Sequence, residues 1–106
     1  MLADSDLVDA VSRGFIDLEA RGVDDETLRI RIRRRIERDF VVTAPSGPTF
    51  SGPAGKSAMA TRRDSFFLLD DGGWREANVR AVRREKRLAP PGASDRLGMP
   101  TRPSPL

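Results

Sequence analysis

The segment from Leu28 to Phe40 decides what this chain of 106 residues can fold into. Leu28, Ile32, Ile36 and Phe40 recur every four residues, an apolar row that drifts slowly around a helix. Leu28, Ile30 and Ile32 also alternate with Arg29, Arg31 and Arg33, which is the period of a half-buried strand. The alternation fails at Arg34, and the whole stretch exceeds an ordinary strand length. We therefore read a helix from Asp24 or Asp25 to about Asp39. Asp24, Asp25 and Glu26 then lie where a helix N-terminus favours negative charge.

A helix is also expected before it. Ser5 stands as its cap, and Leu7, Val8, Val11, Phe15 and Leu18 form an apolar stripe at helical spacing that Gly22 ends. Ile16 lies off that stripe. The Arg21-Gly22-Val23-Asp24 connection is short enough to keep the two helices adjacent. After Phe40, Val41 to Thr43 read as a short strand. Residues 46–55 contain Ser-Gly-Pro twice and form a loop, because neither a helix nor a central strand tolerates such glycine and proline density. Ser65 to Leu69 and Trp74 to Val79, on either side of Asp70-Asp71-Gly72-Gly73, read as a β-hairpin with an Asp-Gly turn. Ala77 to Leu88 return to helix formers with dense arginine, and Pro90-Pro91-Gly92 stop that helix. The expectation is one small α+β domain over residues 1–88 followed by a disordered proline-rich tail over residues 89–106.

Two adjacent helices followed by a hairpin resemble the order of elements in a winged-helix module. The resemblance concerns element order alone, and no stretch assigns the chain to a named family.

Composition removes most catalytic chemistry. The chain has no cysteine, histidine or tyrosine. Disulfide frameworks, cysteine nucleophiles, zinc fingers and imidazole metal ligands are thereby excluded. A metal-dependent nuclease pattern with an acid-x-lysine element is also missing, since Ala54 precedes Lys56 and Arg84 precedes Lys86 at that spacing. Gly52 to Ser57 resemble the end of a phosphate-binding loop, but Phe50 stands where that loop requires its first glycine. A weak anion nest at Lys56 and Ser57 is all that remains of it. We expect no enzyme activity, cofactor or metal. The longest apolar run, Phe66 to Leu69, is far too short to span a bilayer. An acidic start without an apolar stretch argues against a secretory signal, so a cytoplasmic location is expected.

The net charge of +3 conceals an asymmetry. Residues 1–26 hold eight carboxylates and two arginines, a net of −6, whereas the rest of the chain carries 17 cations and eight carboxylates, a net of +9. Of the 19 cations, 17 are arginine, the planar donor suited to phosphate. On helices, Arg31, Arg34, Arg35 and Arg38 form one stripe, and Arg80, Arg83, Arg84 and Arg87 form a second with the same spacing. Their mutual repulsion calls for an opposing anion, and a nucleic-acid backbone supplies one. The rival is the protein's own acidic segment, through Asp6, Asp9, Asp17 and Glu19. Arg62, Arg63 and Arg75 flank Phe66, Phe67 and Trp74 in the hairpin, where cations and aromatics together could hold phosphates and stack bases. Packing inside the protein competes for those aromatics, although Phe66 and Phe67 point to opposite faces and one of them can stay exposed.

The sequence thus predicts a small non-catalytic nucleic-acid-binding protein, with double-stranded DNA as the expected partner. The alternative is an interaction module, such as an adaptor, inhibitor or assembly factor, that docks an arginine and aromatic face on an acidic protein. A homodimer is compatible with either reading.

Overall fold

The computed structural model describes residues 3–102 and is built of strands with one short helix. Strand β1 (Ala3–Asp6) runs directly into α1 (Leu7–Ser12). Asp6 is the cap, its Oδ1 accepting from the backbone N–H groups of Val8 at 2.8 Å and Asp9 at 3.4 Å. The helix ends within two turns because Gly14 takes a left-handed conformation, φ +73°. From Ile16 the chain is extended. Strand β2 (Ile16–Asp24) buries Ile16, Leu18 and Ala20 and turns Asp17 and Glu19 to the other face.

Strand β3 (Thr27–Arg34) replaces the expected second helix. Leu28, Ile30 and Ile32 are all fully buried, while Arg29 and Arg33 lie in solvent. A helix would put Ile30 some 200° around the axis from Leu28, on the arginine side, where its apolar surface would stay wet. The strand buries all three, at roughly 1.5–3 kcal/mol for each such side chain. Strands β2 and β3 pair antiparallel, with Leu18 opposite Ile32 and Ala20 opposite Ile30.

Six further strands follow: β4 (Phe40–Ala44), β5 (Thr49–Phe50), β6 (Met59–Thr61), β7 (Ser65–Leu69), β8 (Arg75–Arg83) and β9 (Pro100–Thr101). They form a three-stranded sheet of order β1-β4-β7 and a six-stranded sheet of order β2-β3-β8-β6-β5-β9. Strand β1 lies parallel to β4, and the remaining ladders are antiparallel. The larger sheet curls until its two ends meet across residues 96–101. At one end Arg21 bridges Arg96, and the Leu97 N–H donates to the Ala20 carbonyl at 2.8 Å. At the other, Pro100 and Thr101 pair with Phe50 and Thr49. Leu7, Leu28, Ile30, Ile32, Phe40, Phe50, Met59 and Val79 fill the space this encloses.

Several expectations are overturned. The fold is mainly β, not a helix-rich α+β winged helix. The basic helix expected over Ala77 to Leu88 is instead β8 as far as Arg83, since Val79 and Ala81 are buried while Arg80 and Val82 are exposed, a period of two. The strands of the expected hairpin exist but do not pair with each other. Strand β7 pairs with β4, placing Phe67 opposite Val42, and β8 pairs with β3 and β6. The Asp70–Gly73 turn carries the chain from one sheet to the other, because the buried side chains of Phe67 and Leu69 complete the smaller sheet. The tail is not disordered as far as residue 102: Pro91 and Leu97 are buried, and β9 closes the larger sheet. Residues 103–106 of the expected tail lie outside the described residues.

Candidate anion-binding site

Strand parity takes the first arginine stripe apart. Arg31 and Arg34 point to opposite faces of β3, Arg35 follows the strand, and Arg38 lies in the loop beyond it. The acidic strand β2 lies directly beside them. Arg33 Nη2 donates to Asp17 Oδ2 at 2.6 Å, Arg31 Nη1 donates to Glu19 Oε2 at 3.0 Å, and Arg35 Nε stands 3.6 Å from Asp17 Oδ1. Glu76 on β8 adds contacts to Arg29 at 3.4 Å and Arg31 at 3.5 Å, and Arg34 donates to Asp39 at 2.6 Å. Four of these five arginines fall on successive outward positions, where Asp17, Glu19 and Glu76 offset most of their charge. Arg38 is exposed and has no side-chain partner among the described residues.

The aromatic residues divide in the same manner. Phe67 is buried, whereas Phe66 on the opposite face of β7 is 69 % exposed. Trp74 lies over β3 with the Cζ atoms of Arg31 and Arg33 4.5 and 4.6 Å from its ring centroid. Its ring is therefore engaged by the protein's own cations. Arg75 is likewise occupied: its Nη2 donates to Asp70 at 2.6 Å and to Asp71 at 3.0 Å. The Gly73 N–H and then Arg75 hold the Asp71 carboxyl below the ordinary carboxylate range, and Asp71 followed by Asp70 raises Arg75. Arg102, which the sequence did not single out, is raised by its hydrogen bond to Asp9 and by the Asp6 charge.

The remaining cations gather at the bend of β8. There the strand passes from pairing with β3, Arg80 opposite Thr27, to pairing with β6, Ala81 opposite Thr61. The Arg62 N–H donates to the Arg80 carbonyl at 2.9 Å, which fixes the two backbones side by side. Arg62, Arg63 and Arg80 line a cavity of about 170 Å³, with no carboxylate in its lining. A neighbouring cavity of about 120 Å³ shares Arg62 and is lined also by Arg83 and Lys86 and by the carboxylates of Asp25 and Glu26.

The supports of this corner are polar and satisfied. Buried Thr61 donates its Oγ1–H to the Pro45 carbonyl, and Asp64 Oδ1 accepts from the Ser46 N–H at 2.9 Å. Asp64, the carboxylate nearest in sequence, is thereby held to Ser46. Among the described residues Arg62 and Arg63 have no side-chain hydrogen bond or ion pair, and Arg80 meets Glu26 at 3.8 Å. Arg83 donates to the Leu88 carbonyl at 3.2 Å. Arg84 and Arg87 are exposed beyond the end of β8 and line neither cavity.

The structure thus brings together Arg62, Arg63, Arg80 and Arg83 from two separately noted groups, and leaves Arg31, Arg34, Arg35, Arg38 and Arg75 elsewhere. Lys86 was missed, since it falls outside the helical stripe drawn through Arg83 and Arg87. No protein family, curated protein or solved structure matches this chain.

The glycine-rich loop is closed to ligands. Ser57 is fully buried, and its Oγ accepts from the Glu85 N–H at 3.0 Å. Glu85 Oε2 accepts from the Ala58 N–H at 2.9 Å and lies 3.2 Å from the Ser57 hydroxyl. A carboxylate of the protein itself fills the place of an anion there. Among the described residues no group of three or more acidic side chains could hold a metal ion, and no helix is long and apolar enough to cross a membrane.

Proposed function

We propose that this chain is a small non-catalytic nucleic-acid-binding protein that grips the phosphate backbone through Arg62, Arg63, Arg80, Arg83 and Lys86. The observation that carries this reading is the cavity at the β8 bend, where three guanidiniums converge with no carboxylate between them. Arg62 and Arg63 have no acidic partner among the described residues and Arg80 meets Glu26 only at 3.8 Å, and guanidiniums gathered in this way favour an external anion. With one six-residue helix among the described residues, the reading relies on backbone contacts in place of a recognition helix. A chain without cysteine suits the cytoplasm, the compartment we propose for it.

Neutralising Z phosphates gives a log–log salt slope near −0.9Z on duplex and −0.7Z on single strands. Five cations would give about −3.5 to −4.5. Fluorescence anisotropy of labelled oligonucleotides over a salt series measures it, and the Arg62→Ala/Arg63→Ala variant is expected to flatten the slope by about two contacts. No binding at low salt, or a slope near zero, removes the proposal.

A second reading is favoured by β7, where Phe66 is 69 % and Leu68 46 % exposed on one outward face. That face suits a non-catalytic interaction module that docks on a protein, either an acidic partner or a second copy. Affinity capture from nuclease-treated lysate separates the two: a stoichiometric protein that survives nuclease and is lost with Phe66→Ser favours the module.

A further inference from the structure

We propose that the Arg62–Arg63–Arg80 cavity receives the terminal phosphate of a nucleic-acid end, in preference to an internal phosphodiester. The inference rests on the nucleic-acid reading and narrows it to one chemical group.

Size is the first argument. At about 170 Å³ the cavity falls well below the roughly 300–1,000 Å³ of sites that enclose whole small molecules. It suits a single charged group and leaves a sugar and base outside. Charge is the second. An internal diester carries one negative charge, whereas a terminal monoester carries about −1.5 to −2 at neutral pH and offers three strong acceptor oxygens. Three guanidiniums around one cavity match the second group better than the first.

The third argument is rigidity. Arg62 and Arg80 are joined by a backbone hydrogen bond of 2.9 Å, and buried Thr61 anchors β6 immediately before Arg62. The backbone positions that carry the donors are thus fixed side by side before any anion arrives, so only the side chains remain to be ordered on binding. The competing anions are weak or committed. Glu26 reaches Arg80 only at 3.8 Å from a largely exposed position, and Asp64 is bound to the Ser46 amide.

The test uses one oligonucleotide sequence with an internal label and either hydroxyl ends, a 5′-phosphate or a 3′-phosphate. At pH 7.5 one phosphorylated end is expected to bind about tenfold more tightly than the hydroxyl form. Which end gains reports whether the cavity takes the 5′ or the 3′ group. The gain should shrink toward pH 5, as the second ionisation of a monoester, near pH 6, is lost. Millimolar inorganic phosphate should also diminish it.

Arg63→Ala changes an exposed side chain that has no hydrogen bond or ion pair among the described residues and should bring the affinity ratio close to one, whereas Arg84→Ala, outside the cavity, should retain the tenfold ratio. Equal affinity for all ends together with a steep salt slope overturns the end-recognition proposal and leaves backbone binding standing. An unchanged ratio in folded Arg63→Ala also overturns it. Absence of binding to every oligonucleotide overturns both.

Discussion

Replacing Gly22 with alanine is expected to open the seam of the six-stranded sheet. A Cβ on Gly22 would lie 1.9 Å from the Pro91 carbonyl oxygen and 2.4 Å from its carbon, where ordinary contacts begin near 3.4 Å. Both atoms belong to backbone, so the two segments must separate by about 1.5 Å, the difference between those distances. The Leu97 N–H bond to Ala20 lies two residues from Gly22, at 2.8 Å, and Leu97 itself is only 3 % exposed. Losing the hydrogen bond costs about 0.5–1.5 kcal/mol. Wetting part of Leu97 adds roughly 1–3 kcal/mol. The stiffer unfolded chain of the alanine variant returns about 0.4–1 kcal/mol. The net loss is about 1–4 kcal/mol, equivalent to a fall in Tm of roughly 4–30 °C for a chain of this size.

Urea denaturation followed by circular dichroism measures the loss, and amide exchange at Leu97 reports the seam directly. Gly72→Ala is the control, because a Cβ there meets nothing within 4 Å, and it should stay within about 0.5 kcal/mol of the parent. Equal midpoints for the two variants, with the Leu97 amide still protected, would show that residues 91–97 do not seat against β2 as described.

Other perturbations probe separate parts of the fold. Phe67→Ala should cost about 3–5 kcal/mol, as expected for a buried phenylalanine, whereas Phe66→Ser should stay within about 0.5 kcal/mol; equal losses in urea titrations would contradict the orientation of β7. Trp74 is the sole tryptophan, so Arg33→Ala should alter its fluorescence and near-ultraviolet signal while lowering stability by about 0.5–1 kcal/mol, the scale of an exposed cation–π contact. The Asp71 carboxyl is held below its ordinary range, first by the Gly73 N–H and then by Arg75. Its contribution is therefore present above the unfolded-state value and is lost as pH falls through the folded one. Asp71→Asn should flatten the acid limb of a stability-against-pH curve measured between pH 5 and 2, and an unchanged limb would refute that assignment.

The sequence carried the strands of this protein in a form that two periods could claim. Leu28 and Ile32 are four apart, and four residues return a side chain to the same side of either a helix or a strand. Ile30 is the residue that separates the two, since only a strand puts it with its neighbours. Ile16, off the stripe of the first expected helix, carried the same information for β2. Positions of β4, β7 and the start of β8 are legible because their apolar residues alternate or cluster between turn residues, whereas the rest of β8 reads as helix because arginines interrupt its short apolar residues. The partners of these strands are not legible, because pairing between β7 and β4 depends on residues more than 20 positions apart, and the local Asp-Gly turn suggests a nearer partner.

The arginine cluster was visible as residues but not as a place. Arg62 and Arg63 meet Arg80 only through the pairing of β6 with β8. The helical spacing drawn through Arg80, Arg83, Arg84 and Arg87 has no counterpart on a strand. The Asp17 and Glu19 pairing with Arg31, Arg33 and Arg35 comes nearer to being legible, since the charge asymmetry sets an acidic segment against a basic one. What changed is that they meet as adjacent strands.

The closure of the larger sheet by residues 96–101 also bears on when the molecule can form. Within that sheet β2 with β3 and β5 with β6 join neighbours in sequence, whereas β3 waits for β8, almost 50 residues later, and β5 waits for β9. Folding dominated by such distant pairings is slow. During synthesis, the edges of β2 and β5 stay open until the segment that covers both has left the ribosome. The arginine corner needs only β6 and β8, so it can assemble before residues 91–101 arrive to close the sheet.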